Sequence, residues 1–130
     1  CFVIAADTIV TCGRRILHKA ATRSDASDYL NLLSGRRHKV LSAVVINSPN
    51  GNQIFRTVTS VVTFKKLDKE ELNTYLGTDE WEGKAGGYAI QGLAATYIRA
   101  LNGSYSNVVG LPLHETYQLL KGMGFNHKII

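Results

Sequence analysis

The sequence predicts an α/β fold: a mixed sheet with flanking helices, from which an antiparallel β-ribbon protrudes. Three observations lead there. The chain opens on an apolar run, "CFVIAADTIV". Two β-branched stretches meet at a Pro-Asn-Gly turn, and several segments carry helix caps and helical spacing. At 130 residues, with 45% hydrophobic and 19% charged residues, the chain fits one globular domain, residues 1–130, without disordered or repetitive segments.

The elements follow in order. Residues 2–6 read as a strand covered on both faces, ending at Asp7 and Thr8. "TCGRR" is a turn and "RILHKA" leads out of it. "SDASDYLNLLSG" has helical spacing, with Ser24 or Asp25 as N-cap, Tyr29, Leu30, Leu32 and Leu33 as the apolar face, and Gly35 as the stop. "HKVLSAVVIN" and "QIFRTVTSVVTFKKL" flank the turn at residues 49–51 and form the ribbon. Asp68 caps the helix "KEELNTYL". After the glycine-rich "GKAGGYAIQG", the segment "LAATYIRAL" has helical spacing, "YSNVVGL" reads as a strand, and "LHETYQLLKG" as a helix stopped by Gly122.

Composition narrows the function. No apolar run reaches membrane-span length, and no signal peptide opens the chain. Cys1 and Cys12 make neither a disulfide framework nor a zinc site, so a cytoplasmic setting is the expectation. A net charge of +5 favours an anionic partner, nucleic acid or a phosphorylated small molecule, against the plainer reading of a solvated basic surface. Nucleic acid is disfavoured, because aromatic interleaving and a groove-reading helix are lacking. The sole methionine is Met123 and the chain opens within a strand-like run, from which missing upstream material is expected.

Several residues could carry chemistry. Asp7, at the end of its strand, could take a proton from water or hold a metal; equally, it could cap the next turn. Thr8 could contact a ligand or pack. Lys19 and Lys84 suit phosphoryl oxygens, although a lone lysine is more often a surface group. Gly86 and Gly87 would let a ligand approach the main chain, and Gln91 could read a base edge or position a water. Glu80 and Glu82, beside Lys84, suit magnesium with polyphosphate, or else form a solvated acidic loop. GxxxxGK[ST] is absent. His38 reads as a structural histidine rather than a phosphate contact, Cys12 as inert, and Trp81 as core or as a lid for a base.

Together, "AADTIV", Lys19 twelve residues after Asp7, "LSGRRHKV", "SVVTF", "GKAGGYAIQG" and "GSYSNVVGLPLHET" resemble the Maf-like nucleoside triphosphate pyrophosphatases of the ITPase-like fold, in the same order and over nearly the whole chain. "GGYAIQG" resembles the dTTP/UTP branch. The resemblance implies a homodimeric hydrolase that cleaves between the α and β phosphates with a divalent metal, Mg2+ or Mn2+. It removes non-standard or surplus nucleotides. The family's general base falls on Asp7, its specificity-linked residues on Thr8 and Gln91, its catalytic lysines on Lys19 and Lys84, and its glutamate on Glu80. The metal set expected is Asp7, Glu80 and Glu82, with Glu82 as a substitute for the family's aspartate. The family's first strand and arginine-bearing SxSPRR loop are absent from this sequence, so this chain alone is expected to be catalytically impaired. Gly83 stands where the family has an aspartate, Trp81 where it has a proline, and Ala20 where a proline follows the first lysine. The alternative is a nucleotide-binding regulator of septum formation and cell division with little hydrolysis.

Overall fold

The computed structural model describes residues 1–125. A five-stranded sheet, ordered β2-β1-β3-β4-β5, is antiparallel at every described ladder. Its strands are β1 (Val3–Cys12), β2 (Arg15–Leu17), β3 (Arg37–Asn47), β4 (Gln53–Phe64) and β5 (Ile98–Asn102). The helices α1 (Arg23–Leu33), α2 (Lys69–Leu76), α3 (Tyr105–Val109) and α4 (Leu113–Gly122) accompany it. The α/β class, the flanking helices and the long ribbon agree with the sequence.

The ribbon is β3 against β4, registered from Arg37 with Thr63 to Asn47 with Gln53. Strict alternation sends His38, Val40, Ser42, Val44 and Ile46 inward, where all are buried. Val10, Leu17, Leu30, Leu33, Val62, Phe64 and Tyr75 complete the core around them. Each such aliphatic or aromatic side chain contributes roughly 1.5–3 kcal/mol on leaving water.

Five local readings are corrected. The first strand does not end at Asp7 and Thr8: it runs to Cys12, with Asp7 opposite Ala43 and Thr8 opposite Ser42. Nor is its apolar start covered on both faces, since Val3, Ile4, Ala5 and Ala6 are all exposed. Beside β2, only Val10 to Cys12 of β1 are paired, so the strand's earlier residues have β3 on one side alone. The N-cap of α1 is Thr22, while Asp25 is the reciprocal member of its capping box. "LAATYIRAL" divides into a 3-10 turn, Leu93–Tyr97, and β5. "YSNVVGL" is the helix α3 rather than a strand, because Ser104 caps it and Asn107 anchors it to the sheet. Asp68 does cap α2, in a capping box with Glu71. Among the described residues no helix is long and apolar enough to cross a membrane.

Candidate active site

A cavity of about 220 Å³ opens where β1, the segment after β2, the glycine-rich loop and α3 meet. Asp7 and Thr8 reach it from β1, Lys19 from the chain leaving β2, Lys84 and Gln91 from the loop, and Val108 and Val109 from α3. Five of the residues singled out in the sequence therefore line one space. Asp7, Thr8, Lys19 and Ala85 also line an adjoining groove. Asp7, Lys19, Lys84 and Gln91 are exposed, whereas Val10, Val40, Tyr88 and Ile90 give the cavity a buried, mainly apolar wall. The volume lies below the roughly 300–1,000 Å³ of sites that enclose a whole drug-sized ligand. It would enclose only part of a ligand of that size.

The two lysines share a backbone seam. Lys19 and Ala85 form an antiparallel bridge. Ala20 N–H donates to Lys84 O at 3.0 Å, Gly83 N–H to Ala20 O at 2.8 Å, and Gly86 N–H to His18 O at 3.2 Å. This pairing carries positions distant in sequence to the same mouth.

The glycines have a different role from the expected one. Gly86 and Gly87 are buried at φ +72° and +81°, a region that glycine enters readily. A Cβ on Gly86 would meet Val10 Cγ1 at 3.0 Å, and one on Gly87 would meet the Ala26 Cα at 3.3 Å. Neither lines the cavity. Their missing side chains allow the loop to pack closely on β1 and α1.

The acidic set is also rearranged. Glu80 Oε1 accepts from Leu93 N–H at 2.9 Å, and a Cβ on Gly92 would land on that same oxygen. Glu80 thus holds the start of the 3-10 turn, and Glu82 is exposed outside the cavity lining. Among the described residues no three His, Cys, Asp or Glu side chains gather as metal ligands, so Asp7, Glu80 and Glu82 do not form one cluster. Trp81 is core: it is buried and its Nε1–H donates to Leu76 O at 2.9 Å.

The sequence reading missed Tyr88, Ser42 and Asn107. Tyr88 lines the cavity and its hydroxyl meets His38 Nε2 at 2.6 Å. The His38 and Tyr88 rings stack edge-on against each other and against Phe64. Burial lowers the His38 pKa to about 4 and pushes the Tyr88 hydroxyl up, so both are neutral near pH 7. His38 is the structural histidine that the sequence favoured. Behind the cavity, Asn107 Nδ2 donates to Val40 O at 3.1 Å and to Ser60 Oγ at 2.9 Å, tying α3 to the sheet. Polar residues at inward positions of β3 and β4 were the available signal for this network.

The family model for Maf-like proteins matches residues 1–123. The chain is similar to the dTTP/UTP pyrophosphatase of Paramagnetospirillum magneticum, at 58% identity over 124 residues that cover 95% of this chain and 65% of that protein. It is equally similar, 58% over 124 residues, to the dTTP/UTP pyrophosphatase of Granulibacter bethesdensis, covering 95% of this chain and 58% of that protein. To the nucleoside triphosphate pyrophosphatase of Anaplasma phagocytophilum it is 52% identical over 121 residues, covering 93% of this chain and 63% of that protein. The chain therefore spans less than two thirds of the length of these relatives.

Proposed function

The chain belongs to the Maf-like protein family, and from that premise we propose that it works as a nucleoside triphosphate pyrophosphatase on dTTP or UTP. The products are the nucleoside monophosphate and pyrophosphate. The observation that carries this reading is the convergence of Asp7, Thr8, Lys19, Lys84 and Gln91 on one cavity. The names of the relatives support the pyrimidine preference.

The chemistry follows from the side chains. A water oxygen attacks the α-phosphorus, the bond from that phosphorus to the bridging oxygen breaks, and pyrophosphate leaves. Asp7, exposed at the cavity mouth, accepts the proton released by the water. Lys19 and Lys84 hold the phosphoryl oxygens and balance charge that grows on the leaving group. The seam between their segments fixes their relative position, which lowers the entropic part of the barrier. Magnesium typically takes one or two protein carboxylates and completes its shell with water and substrate phosphate. Asp7 fits that role alone. It would hold Mg2+ or Mn2+ arriving with the triphosphate, and the ion would neutralise phosphate charge. By the family resemblance the working unit is a homodimer, which sedimentation would check.

The test is pyrophosphate release from a panel of nucleoside triphosphates with Mg2+ or Mn2+. Asp7→Asn should lower the rate on dTTP and UTP by about two to four orders of magnitude. Lys84→Ala should lower it by a comparable factor. Release that is unchanged by Asp7→Asn would refute the assignment of the base. Absence of both release and triphosphate binding would remove the nucleotide reading.

A further inference from the structure

Thr8 and Ser42 face each other across β1 and β3, and their hydroxyl oxygens lie 2.9 Å apart. That contact has a direction. Ser42 is fully buried, and its single hydroxyl proton goes to the Asn107 carbonyl at 3.0 Å. A carbonyl can only accept, and leaving a buried carbonyl without a partner is costly. With the Ser42 proton committed, Thr8 must be the donor between the two hydroxyls. Its other neighbour, Gly110 O at 3.4 Å, is also an acceptor. Either way the Thr8 proton points into the protein, and only lone pairs remain for the cavity that Thr8 lines.

Asn107 is held in turn. Its side-chain amide donates to Val40 O and Ser60 Oγ, and its backbone N–H donates to Ser104 Oγ at 3.2 Å. The carbonyl that orients Ser42 is therefore anchored by two neighbouring strands, β3 and β4, and by the cap of α3. The wall around Thr8 includes Ala6, Val108 and Val109, and suits a flat ring better than a phosphate.

We propose that Ser42 is a specificity-determining positioning residue: it fixes Thr8 as a hydrogen-bond acceptor, so the cavity selects a nucleobase that presents an N–H there. This rests on the nucleotide reading given above. In uracil and thymine the matching donor is the imide N3–H, and Gln91, which can donate, suits a flanking carbonyl. Cytosine carries a lone pair at N3, which would face the Thr8 lone pairs. A site built around such a hydrogen bond rejects a ring that lacks the donor, because its own polar group is left unmatched.

The experiment is equilibrium binding of UTP, CTP and N3-methyl-UTP to the unaltered chain and to Ser42→Ala. The unaltered chain should bind UTP about tenfold or more tightly than N3-methyl-UTP and CTP. In Ser42→Ala the Thr8 hydroxyl keeps only the longer contact to Gly110 O, 3.4 Å, so it can turn toward the cavity, and the preference for UTP over CTP should shrink about tenfold. A purely structural role for Ser42 would weaken both ligands alike and leave their ratio unmoved, which would overturn the proposal. If Ser42→Ala does not fold, the unaltered chain decides: N3-methyl-UTP or CTP bound as tightly as UTP refutes the acceptor assignment. Failure to bind any of the three triphosphates removes the nucleotide reading itself. Binding of UTP with an unchanged ratio in the variant removes only the role of Ser42.

Discussion

Gly86→Ala isolates the packing role of the glycine-rich loop. At φ +72° an alanine enters the left-handed region, which costs a non-glycine residue about 1–2 kcal/mol. Its Cβ would also lie 3.0 Å from Val10 Cγ1 and 3.2 Å from Val10 Cγ2. Val10 is buried, so relief requires movement within the core, at about 1–3 kcal/mol. The sum, about 2–5 kcal/mol, is a large part of the roughly 5–15 kcal/mol that holds a typical domain folded. Urea unfolding should show a lower midpoint with an unchanged slope. The two contributions separate in a Val10→Ala background, where both γ-methyl contacts vanish while the 3.2 Å approach to the remaining Cβ and the dihedral part stay. The double variant should therefore be more stable than the sum of the single losses by about 1–3 kcal/mol. A Gly86→Ala protein within about 0.5 kcal/mol of the parent would refute both contributions, and strict additivity would refute the contact with Val10.

Three further outcomes can be checked. The His38 pKa falls from 6.5 unfolded to about 4 folded, so the unfolded chain binds the proton more readily between those values. Stability should be full above pH 6.5 and fall by about 3 kcal/mol as the pH drops through that window. Thermal melts of His38→Gln should lose most of this acid slope. Asn107→Ala strips two hydrogen bonds from buried partners and should lower stability by about 2–3 kcal/mol in urea, with α3 losing hydrogen-exchange protection first. Thr22→Ala removes one half of the α1 capping box and should lower stability by about 1 kcal/mol, read in the same assay.

The parts of the fold legible in the sequence are those where local chemistry and tertiary context agree. The β3–β4 ribbon could be read because alternation and its turn residues both favour a hairpin. Asp68 was identifiable as a cap because Glu71 completes its box. Residues 105–109 misled because Tyr105, Val108 and Val109 favour strands. What makes them helical is the anchoring of Ser104 and Asn107, which involves Ser60 and Val40 far away in sequence. Asp7, Lys19 and Lys84 could be named from the resemblance, but the seam that unites the lysines is a backbone pairing with no local signature. Glu80 looked like a metal ligand because it stands near Lys84. Only the folded chain brings the Leu93 amide to its carboxylate.

The stitched loop bears on how a ligand is received. With Gly86 and Gly87 wedged against Val10 and Ala26, and the neighbouring amides already paired, residues 83–87 have little freedom left to surrender. A guest arriving at Lys84 meets a preorganised surface, so the ordering penalty that weakens many mobile binding loops is largely absent on this side. Capture there should be governed by diffusion and by the attraction of a +5 chain for anions, and should slow as ionic strength rises.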